Sequence, residues 1–515
     1  MQLRDYQETF VSNVARSLAT HRKVCAQLAT GAGKTVVFSA IAQRYIAKQA
    51  GSANPLSVLI LVHRKELLAQ TRRTLYNAYN IIAQPIQAGM KTIPPAEVYV
   101  GMCESAHRRA AKLRNIGMVI IDEAHIAAFN KLHDVFPDQY ILGFTATPLS
   151  ASVKCPMSTH YEQIITGIDI PELIAAGNLC QCITYAPRDT VDRAALVTKG
   201  NEFEESEMAK EFSKSRHVMN TVRAYEQHSK GAKTIVFNVQ VEHSKKVCDA
   251  FIQSGYNARH IDGMTDAGMR TATLRWFSET PDAILCNVGI ATTGFDEPTI
   301  ETVIVNRATQ SLPLYLQMCG RGARPTPTKA SFTIIDMGSN ASFLGEWHNP
   351  RDWGDMFRNP RKKSDKEGVA PVKSCPQCEA LVAVSARICQ YCEFEIPKTA
   401  AEEAQEELFS ELVCLTQGID VAALIERNAE KKQYAAFFQI ANALVAEATR
   451  MTQKMSDSMA GLLLEQYHAK GREWCKAVGK RYNQWHQERA QETLWAKLKE
   501  RFGWEPVADG EAVPA

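Results

Sequence analysis

The chain has 515 residues, enough for two large domains and smaller modules, and 45% of them are hydrophobic, which excludes an intrinsically disordered protein. Lysine and arginine total 59 against 56 acidic residues, so the net charge of +3 names no partner, and any nucleic-acid surface has to come from local clustering. The start MQLRDYQETF lacks the apolar core of a signal peptide and runs such as VLILV at 58–62 have strand length, so a cytoplasmic protein without membrane contact is expected.

In chain order, the first informative stretch is LATGAGKT at 28–35, which follows the strand-like run KVCAQLA. Gly31 and Gly33 lack side chains, so successive backbone N–H groups can turn inward around an anion, and Lys34 adds charge. Thr35 is expected to open a helix, TVVFSAIAQRYIAKQA, whose N-terminus favours the same anion while the threonine hydroxyl ligates Mg²⁺. Leu28 stands where the strict phosphate-loop pattern has glycine.

Short apolar runs then alternate with amphipathic stretches: LSVLILV, RKELLAQTRRTLYNAY, AEVYVG, GMVIIDE and YILGFTAT. That rhythm predicts a parallel sheet wrapped by helices. MVIIDEAH places Asp122 and Glu123 at the carboxyl edge of an apolar strand, where open α/β sheets bind ligands. Asp122 can hold Mg²⁺ through water, and Glu123 can orient or deprotonate the water that attacks a γ-phosphate. An acidic pair alone is as well explained by a solvated turn or a helix cap. Its order after the glycine loop, with strands leading into both, favours a nucleotide site.

A second series of strands follows in KTIVFNVQVEHSKKV at 233–247, HIDGMTDAGMR at 260–270, DAILCNVGIATTGFDEP at 282–298 and ETVIVNR. A motor needs such a second surface, which closes on the γ-phosphate and opens after its release. In QMCGRGAR at 317–324, Arg321 and Arg324 lie three apart and would share a face on a helix.

With these segments in place, residues 1 to about 340 resemble the superfamily 2 helicases of the DEAD/DEAH-box kind, nearest the RadD-type group. TGAGKT (Thr30, Gly31, Ala32, Gly33, Lys34, Thr35) stands as motif I, DEAH as motif II and TAT at 145–147 as motif III. The resemblance implies that Gln7, in LRDYQ, reads the adenine edge and that LVHRKELLAQ at 61–70 touches the nucleic-acid backbone. It implies that His125, Thr145 and Thr147 couple the nucleotide site to the second lobe, and that Gly294 and Asp296 of TTGFD face the nucleotide. Gln317, Arg321 and Arg324 match the Q-x-x-G-R-x-x-R motif VI, with the arginines as fingers that neutralise charge on the transferred phosphoryl group.

Fourteen cysteines give no disulfide framework, but four form two C-x₂-C pairs ten residues apart, Cys375/Cys378 and Cys389/Cys392. Two thiolates on each of two tight turns complete a tetrahedral structural Zn²⁺ site. Residues 341–373, rich in proline, glycine and charge, read as a basic linker. Beyond the ribbon, nine basic and four acidic residues at 470–501 interleave with Trp474, Tyr482, Trp485 and Trp495, a pattern that fits either a helical core or a nucleic-acid surface, with the core preferred.

The expected architecture is α/β: a RecA-like lobe at 1–165, a second at 166–340, the linker at 341–373, a zinc ribbon at 374–397, a helical domain at 398–505 and a loose tail at 506–515. The expected function is an ATP- and Mg²⁺-dependent nucleic-acid helicase or translocase acting on DNA in repair or replication. Two alternatives share its motifs, a duplex translocase or restriction-type motor that separates no strands and an ATP-gated nucleic-acid clamp.

Overall fold

The computed structural model describes residues 2–87, 89–90, 92–113, 115–150, 155–186, 191, 193, 196–200, 202–290, 295, 297–359, 372–397, 421–427, 434–451, 455 and 457–504. The chain divides into two compact units, Met1–Phe394 and Glu395–Ala515.

The first unit holds two parallel sheets. Strands β1 (Lys23–Gln27), β2 (Ser57–Val62), β3 (Gln84–Ile86), β4 (Val98–Met102), β5 (Ile116–Asp122), β6 (Tyr140–Thr145) and β7 (Gln163–Thr166) form one sheet in the order β3-β4-β2-β5-β6-β1-β7. All seven residues of β5 are buried, as a strand covered on both faces requires. Strand β8 (Gln181–Tyr185) begins the second lobe. A small hairpin, β9 (Thr198–Lys199) with β10 (Glu202–Phe203), precedes β11 (Thr234–Asn238), β12 (Ala258–Ile261), β13 (Ile284–Asn287), β14 (Thr302–Asn306) and β15 (Ser331–Asp336). Their order, β12-β13-β11-β14-β15-β8, is again wholly parallel. These are the two RecA-like lobes implied by the resemblance, and the first sheet is the parallel one expected from the alternation of apolar and amphipathic runs.

The linker expected at 341–373 is corrected over its described part. Trp347 is fully buried with its ring edge-on to Phe332 of β15, centroids 5.4 Å apart. Arg351 donates to the carbonyls of Leu344, Glu346, Trp347 and Asn349 at 2.8–3.3 Å, tying the backbone into a knot. The helix Trp353–Arg358 then lies against β7, and Phe357 enters the lobe 1 core beside Met157, Tyr161 and Ile164. Residues 345–358 are thus a strap from lobe 2 back to lobe 1. Low local hydrophobicity reads as linker because only the fold supplies the surfaces that cover its few aromatic anchors. Residues 360–371 lie outside the described residues.

Strands β16 (Val372–Ser374) and β17 (Leu381–Ala383) form an antiparallel ribbon that belongs to the first unit. It rests on lobe 2 through a bridge between Ala380 and Tyr185, and Tyr185 in turn stacks 4.0 Å from His228. In the second unit, the helices Val421–Arg427, Ala435–Met451, Asp457–Ala477 and Gln484–Phe502 pack around Phe437, Leu444, Leu463, Tyr467, Trp474 and Leu494. No helix among the described residues is long and apolar enough to cross a membrane. The acidic run at 401–411 and the tail at 506–515 lie outside the described residues.

Candidate nucleotide site and cysteine cluster

Three neighbouring strands of lobe 1 deliver the site. In the order β5-β6-β1, the register aligns Gln27 with Thr145 and Phe144 with Asp122, so the glycine loop, the TAT segment and the acidic pair leave the sheet side by side. Positions far apart in sequence meet because all three strands point the same way.

Gly31 and Gly33 adopt left-handed backbone angles, φ 88° and 85°. A Cβ on either would also sit 2.6 Å from a neighbour, Leu179 for Gly31 and the Gln7 amide for Gly33, so the loop demands glycine twice over. The irregular first position has a physical explanation: Leu28 is fully buried, and Gly167 leaves the room its side chain fills. Lys34, rather than Thr35, is the first residue of the helix Lys34–Gln49. Its Nζ stands 4.0 Å from Glu123 Oε1. Thr35 and Thr30 are half-buried, while Ala32 is buried.

Asp122 ends β5 and accepts from the Glu123 N–H at 3.1 Å. Glu123 has φ 54°, a conformation that costs about 1 kcal/mol or more for a residue with a side chain and aims its carboxylate into the cleft between the lobes. Burial and the adjacent Glu123 charge push Asp122 up to about 7. Glu123 is half-buried, and against its desolvation the charges of Lys34, His125, His63 and Arg321 hold it below the usual carboxylate range. Asp122, buried and next to a second carboxylate, is short of positive charge. Its carboxylate therefore suits a divalent cation.

His125 lies in a turn, not at a helix start, with Nδ1 2.9 Å from Thr145 Oγ1 and 3.5 Å from Glu123. The Thr145 hydroxyl gives its proton to the Thr147 carbonyl at 2.9 Å, which makes His125 Nδ1 the donor. Burial lowers the His125 pKa, with the Glu123 charge opposing the shift. A hydrogen-bonded chain thus runs from His125 through Thr145 to Thr147, and Glu123 Oε2 stands 3.5 Å from the ring without a hydrogen bond.

Lobe 2 reaches the same carboxylate. Burial brings Arg321 down to about 10 while the Glu123 charge opposes the shift, so the two groups act on each other's charge. Its Nη1 also donates to the Phe295 carbonyl at 2.6 Å. Gly320 abuts Thr30 so closely that a Cβ would come within 3.0 Å of the threonine methyl. The helical pairing expected of Arg321 and Arg324 is corrected: the helix is Leu312–Cys319, which carries Gln317, and both arginines follow it, Arg321 in a turn and Arg324 in an irregular segment. Gly320 and Gly322 end the helix. Burial lowers the Arg324 pKa as well. Gly294 and Asp296 lie outside the described residues.

Gln7 is buried under the loop, with Oε1 accepting from the Arg4 N–H and Nε2 donating to the Ala32 carbonyl, both at 3.1 Å. Tyr6 and Arg64 escape a reading of the sequence. The Tyr6 hydroxyl donates to the same Ala32 carbonyl at 3.1 Å, and Arg64 reaches across to the carbonyls of Gly289 and Ile290 in lobe 2 at 3.3–3.4 Å. Tyr6 has a signal in its place beside Gln7. Arg64 has none, because its partners are backbone atoms.

The four ribbon cysteines bring their Sγ atoms within 4.8 Å of one another, with Cys375–Cys392 and Cys378–Cys389 each at 3.7 Å. Tetrahedral Zn–S bonds place sulfurs about 3.8 Å apart, so the set fits zinc. Each C-x₂-C turn closes the same way: Glu379 and Glu393, both with positive φ, donate to the carbonyls of Cys375 and Cys389 at 3.0 and 2.8 Å. Against burial, the N–H groups of Cys378 and Gln377 and the neighbouring thiols lower Cys375 to about 7. Every described cysteine is free of disulfides.

Known proteins match this layout. The family model for the type III restriction enzyme res subunit fits residues 1–150, and that for the helicase conserved C-terminal domain fits 213–326. A 51.5 kDa protein of Lactococcus phage (isolate 7-9) is 30% identical over 383 residues, 73% of this chain and 78% of that one. IRC3 of Saccharomyces cerevisiae, assigned as an ATP-dependent helicase, is 27% identical over 65% of this chain, which spans about half of the yeast protein (51%). The type ISP restriction-modification enzyme LlaBIII, solved bound to DNA, shares the fold at TM-score 0.52 and 16% identity over 98% of this chain and 40% of its own. A fragment assigned as a type I restriction HsdR subunit from Vibrio vulnificus YJ016 does so at TM-score 0.55 and 20% identity, over 68% of this chain and 67% of that one.

Proposed function

The chain belongs to the superfamily 2 helicases, and from that premise we propose that it is an ATP-driven motor on DNA. The observation that carries this reading is the meeting of both lobes at the phosphate loop, with Lys34 Nζ 4.0 Å from Glu123, Gly320 of lobe 2 packed against Thr30 and the Arg321 charge acting on Glu123. Lys34 and the loop N–H groups bind the phosphates, with Gln7, Thr30, Gly31, Ala32, Gly33, Gln317, Gly294 and Asp296 around the nucleotide. Thr35 and Asp122 hold Mg²⁺, which supplies charge neutralisation on the phosphate oxygens. Glu123 orients the attacking water, and Arg321 and Arg324 stabilise charge as the lobes close. His125, 3.5 Å from Glu123, passes its state through the hydrogen bonds with Thr145 and Thr147 to the lobe boundary. The four cysteines hold a structural Zn²⁺. TTGFD and the downstream cysteine pairs support a RadD-type repair role in the cytoplasm.

ATP turnover with and without single-stranded DNA tests this. Lys34→Ala is expected to lose nucleotide affinity and turnover, whereas Glu123→Gln binds ATP and fails to cleave it. Arg324→Ala should lower kcat by about 10³ with little change in nucleotide affinity. Equal loss of affinity in all three would contradict the assignment. The match of residues 1–150 to a restriction motor favours a second reading, translocation along duplex without strand separation. Strand displacement on a forked duplex separates the two.

A further inference from the structure

We propose that one end of the C-terminal helical unit is a separate platform for single-stranded nucleic acid, formed by the turn between the Asp457–Ala477 and Gln484–Phe502 helices. The proposal rests on the reading of the chain as a nucleic-acid motor and adds a contact that the ATP cleft does not need.

The turn is rigid. Gly479 has φ 68°, and the Lys480 N–H donates back to the Cys475 carbonyl at 2.7 Å while that of Val478 donates to Trp474 at 3.0 Å, a closure that ends the helix sharply. Lys480 then lies 3.8 Å over the Tyr434 ring, which stands 4.9 Å from Trp485. Trp485 is 40% exposed, while Trp474 behind it is 1% exposed. One indole builds the core and the other is left at the surface.

The charge around this surface is one-sided. From Lys470 to Arg489 the chain carries six basic residues and two acidic ones. Glu473 is paired with Lys470, Glu488 accepts from Gln484, and Arg489 is paired with Glu492. Among the described residues no carboxylate pairs with Arg472, Lys476, Lys480 or Arg481, and Arg472, Lys476 and Arg481 are exposed. Cations at a helix C-terminus relieve the helix dipole, which accounts for Lys476 and Lys480. It does not account for Arg481 beyond the turn or for the exposed indole. Phosphates fit unpaired cations and an unstacked base fits an exposed indole; a duplex offers the first without the second, so the surface suits a single strand.

The test uses the full chain and a fluorescent thirty-nucleotide oligo(dT), bound without nucleotide across a salt series. Lys476→Glu with Arg481→Glu is expected to weaken binding tenfold or more at low salt and to make the dependence of log Kd on log salt shallower by about 1.4, the release expected for two phosphate contacts on a single strand. Trp485→Ala should weaken binding by roughly fivefold to a hundredfold with the salt slope retained. Far-UV circular dichroism confirms that the helices remain, and the charge reversal, made at exposed positions, keeps the proposal open to refutation if Trp485→Ala unfolds. Unchanged affinity and slope in the charge variant would overturn it. An equal loss on blunt duplex DNA would overturn the single-strand assignment. Stimulation of ATP turnover in the unaltered protein reports on the motor reading, so the two can fail separately.

Discussion

Two segments of this chain look alike as strings and have opposite fates. Residues 345–358 and 476–485 both mix tryptophan with lysine or arginine, glycine and asparagine. In the first, Trp347 is fully buried and Arg351 gives its donors to four carbonyls. In the second, Trp485 stays at the surface and Arg481 meets no carboxylate among the described residues. The difference lies outside both segments. The strap runs between two lobes whose sheets offer apolar surface on either side, whereas the turn caps a helical bundle already filled by Trp474 and Phe437. A guanidinium surrounded by backbone oxygens is structural; one facing water is available to a ligand.

The sharpest way to break this contrast is to remove each indole. Trp347→Ala leaves a large cavity against Phe332 and should destabilise the motor unit by about 3–5 kcal/mol, read as a lower denaturant midpoint of its unfolding transition. Trp485→Ala should cost less than about 1 kcal/mol in its own unit. Comparable losses would mean that the exposed indole is a structural anchor after all.

Beside Trp347, Glu346 sharpens the picture through pH. It is 7% exposed, Oε2 has no hydrogen-bond partner, and burial pushes its pKa up to about 7 from 4.5. The folded state therefore keeps a proton that the unfolded chain releases between about pH 4.5 and 7. Stability contributed by Glu346 is complete below that window and is lost as pH rises through it, by at most about 3 kcal/mol. Glu346→Gln should flatten the profile relative to the unaltered protein and stabilise it at pH 8. His348 has a pKa lowered by burial and by Arg351 and titrates in the opposite sense, so the difference between the two proteins isolates the glutamate. Identical pH profiles would show that water reaches the carboxyl.

A smaller effect is expected from the arginines. Arg351→Met strips a charged donor from four carbonyls and should cost about 2 kcal/mol, against about 0.5 kcal/mol or less for Arg481→Met. Chemical denaturation of each unit, followed by tryptophan fluorescence, measures both.

Much of the candidate site is legible in the amino-acid order because phosphate binding restricts backbone and charge within a few residues. Gly31, Gly33 and Lys34 are local requirements, and so is an acidic pair at the end of an apolar strand. The cysteine pairs are legible for the same reason, since each chelating turn is four residues long. Less legible are contacts made to main-chain atoms. Tyr6 and Gln7 meet at the Ala32 carbonyl, and Arg64 finds the carbonyls of Gly289 and Ile290, partners that no residue type advertises. The left-handed Glu123, Glu379 and Glu393 are hidden as well, because surrounding bonds hold them where glycine would be expected.

The order of residues specifies the period and burial of the strands, and with them two parallel sheets, the phosphate loop, the acidic pair and the cysteine quartet, all properties of short windows. Tertiary contacts settle that β5, β6 and β1 lie adjacent and that Gly320, just before Arg321, packs against Thr30 of the phosphate loop. They also make residues 345–358 a buried strap, and they put one tryptophan of the C-terminal helices in the core while another is exposed. Those outcomes depend on which surfaces meet, and the free energy of burial is set by the partner surface as much as by the residue that is buried.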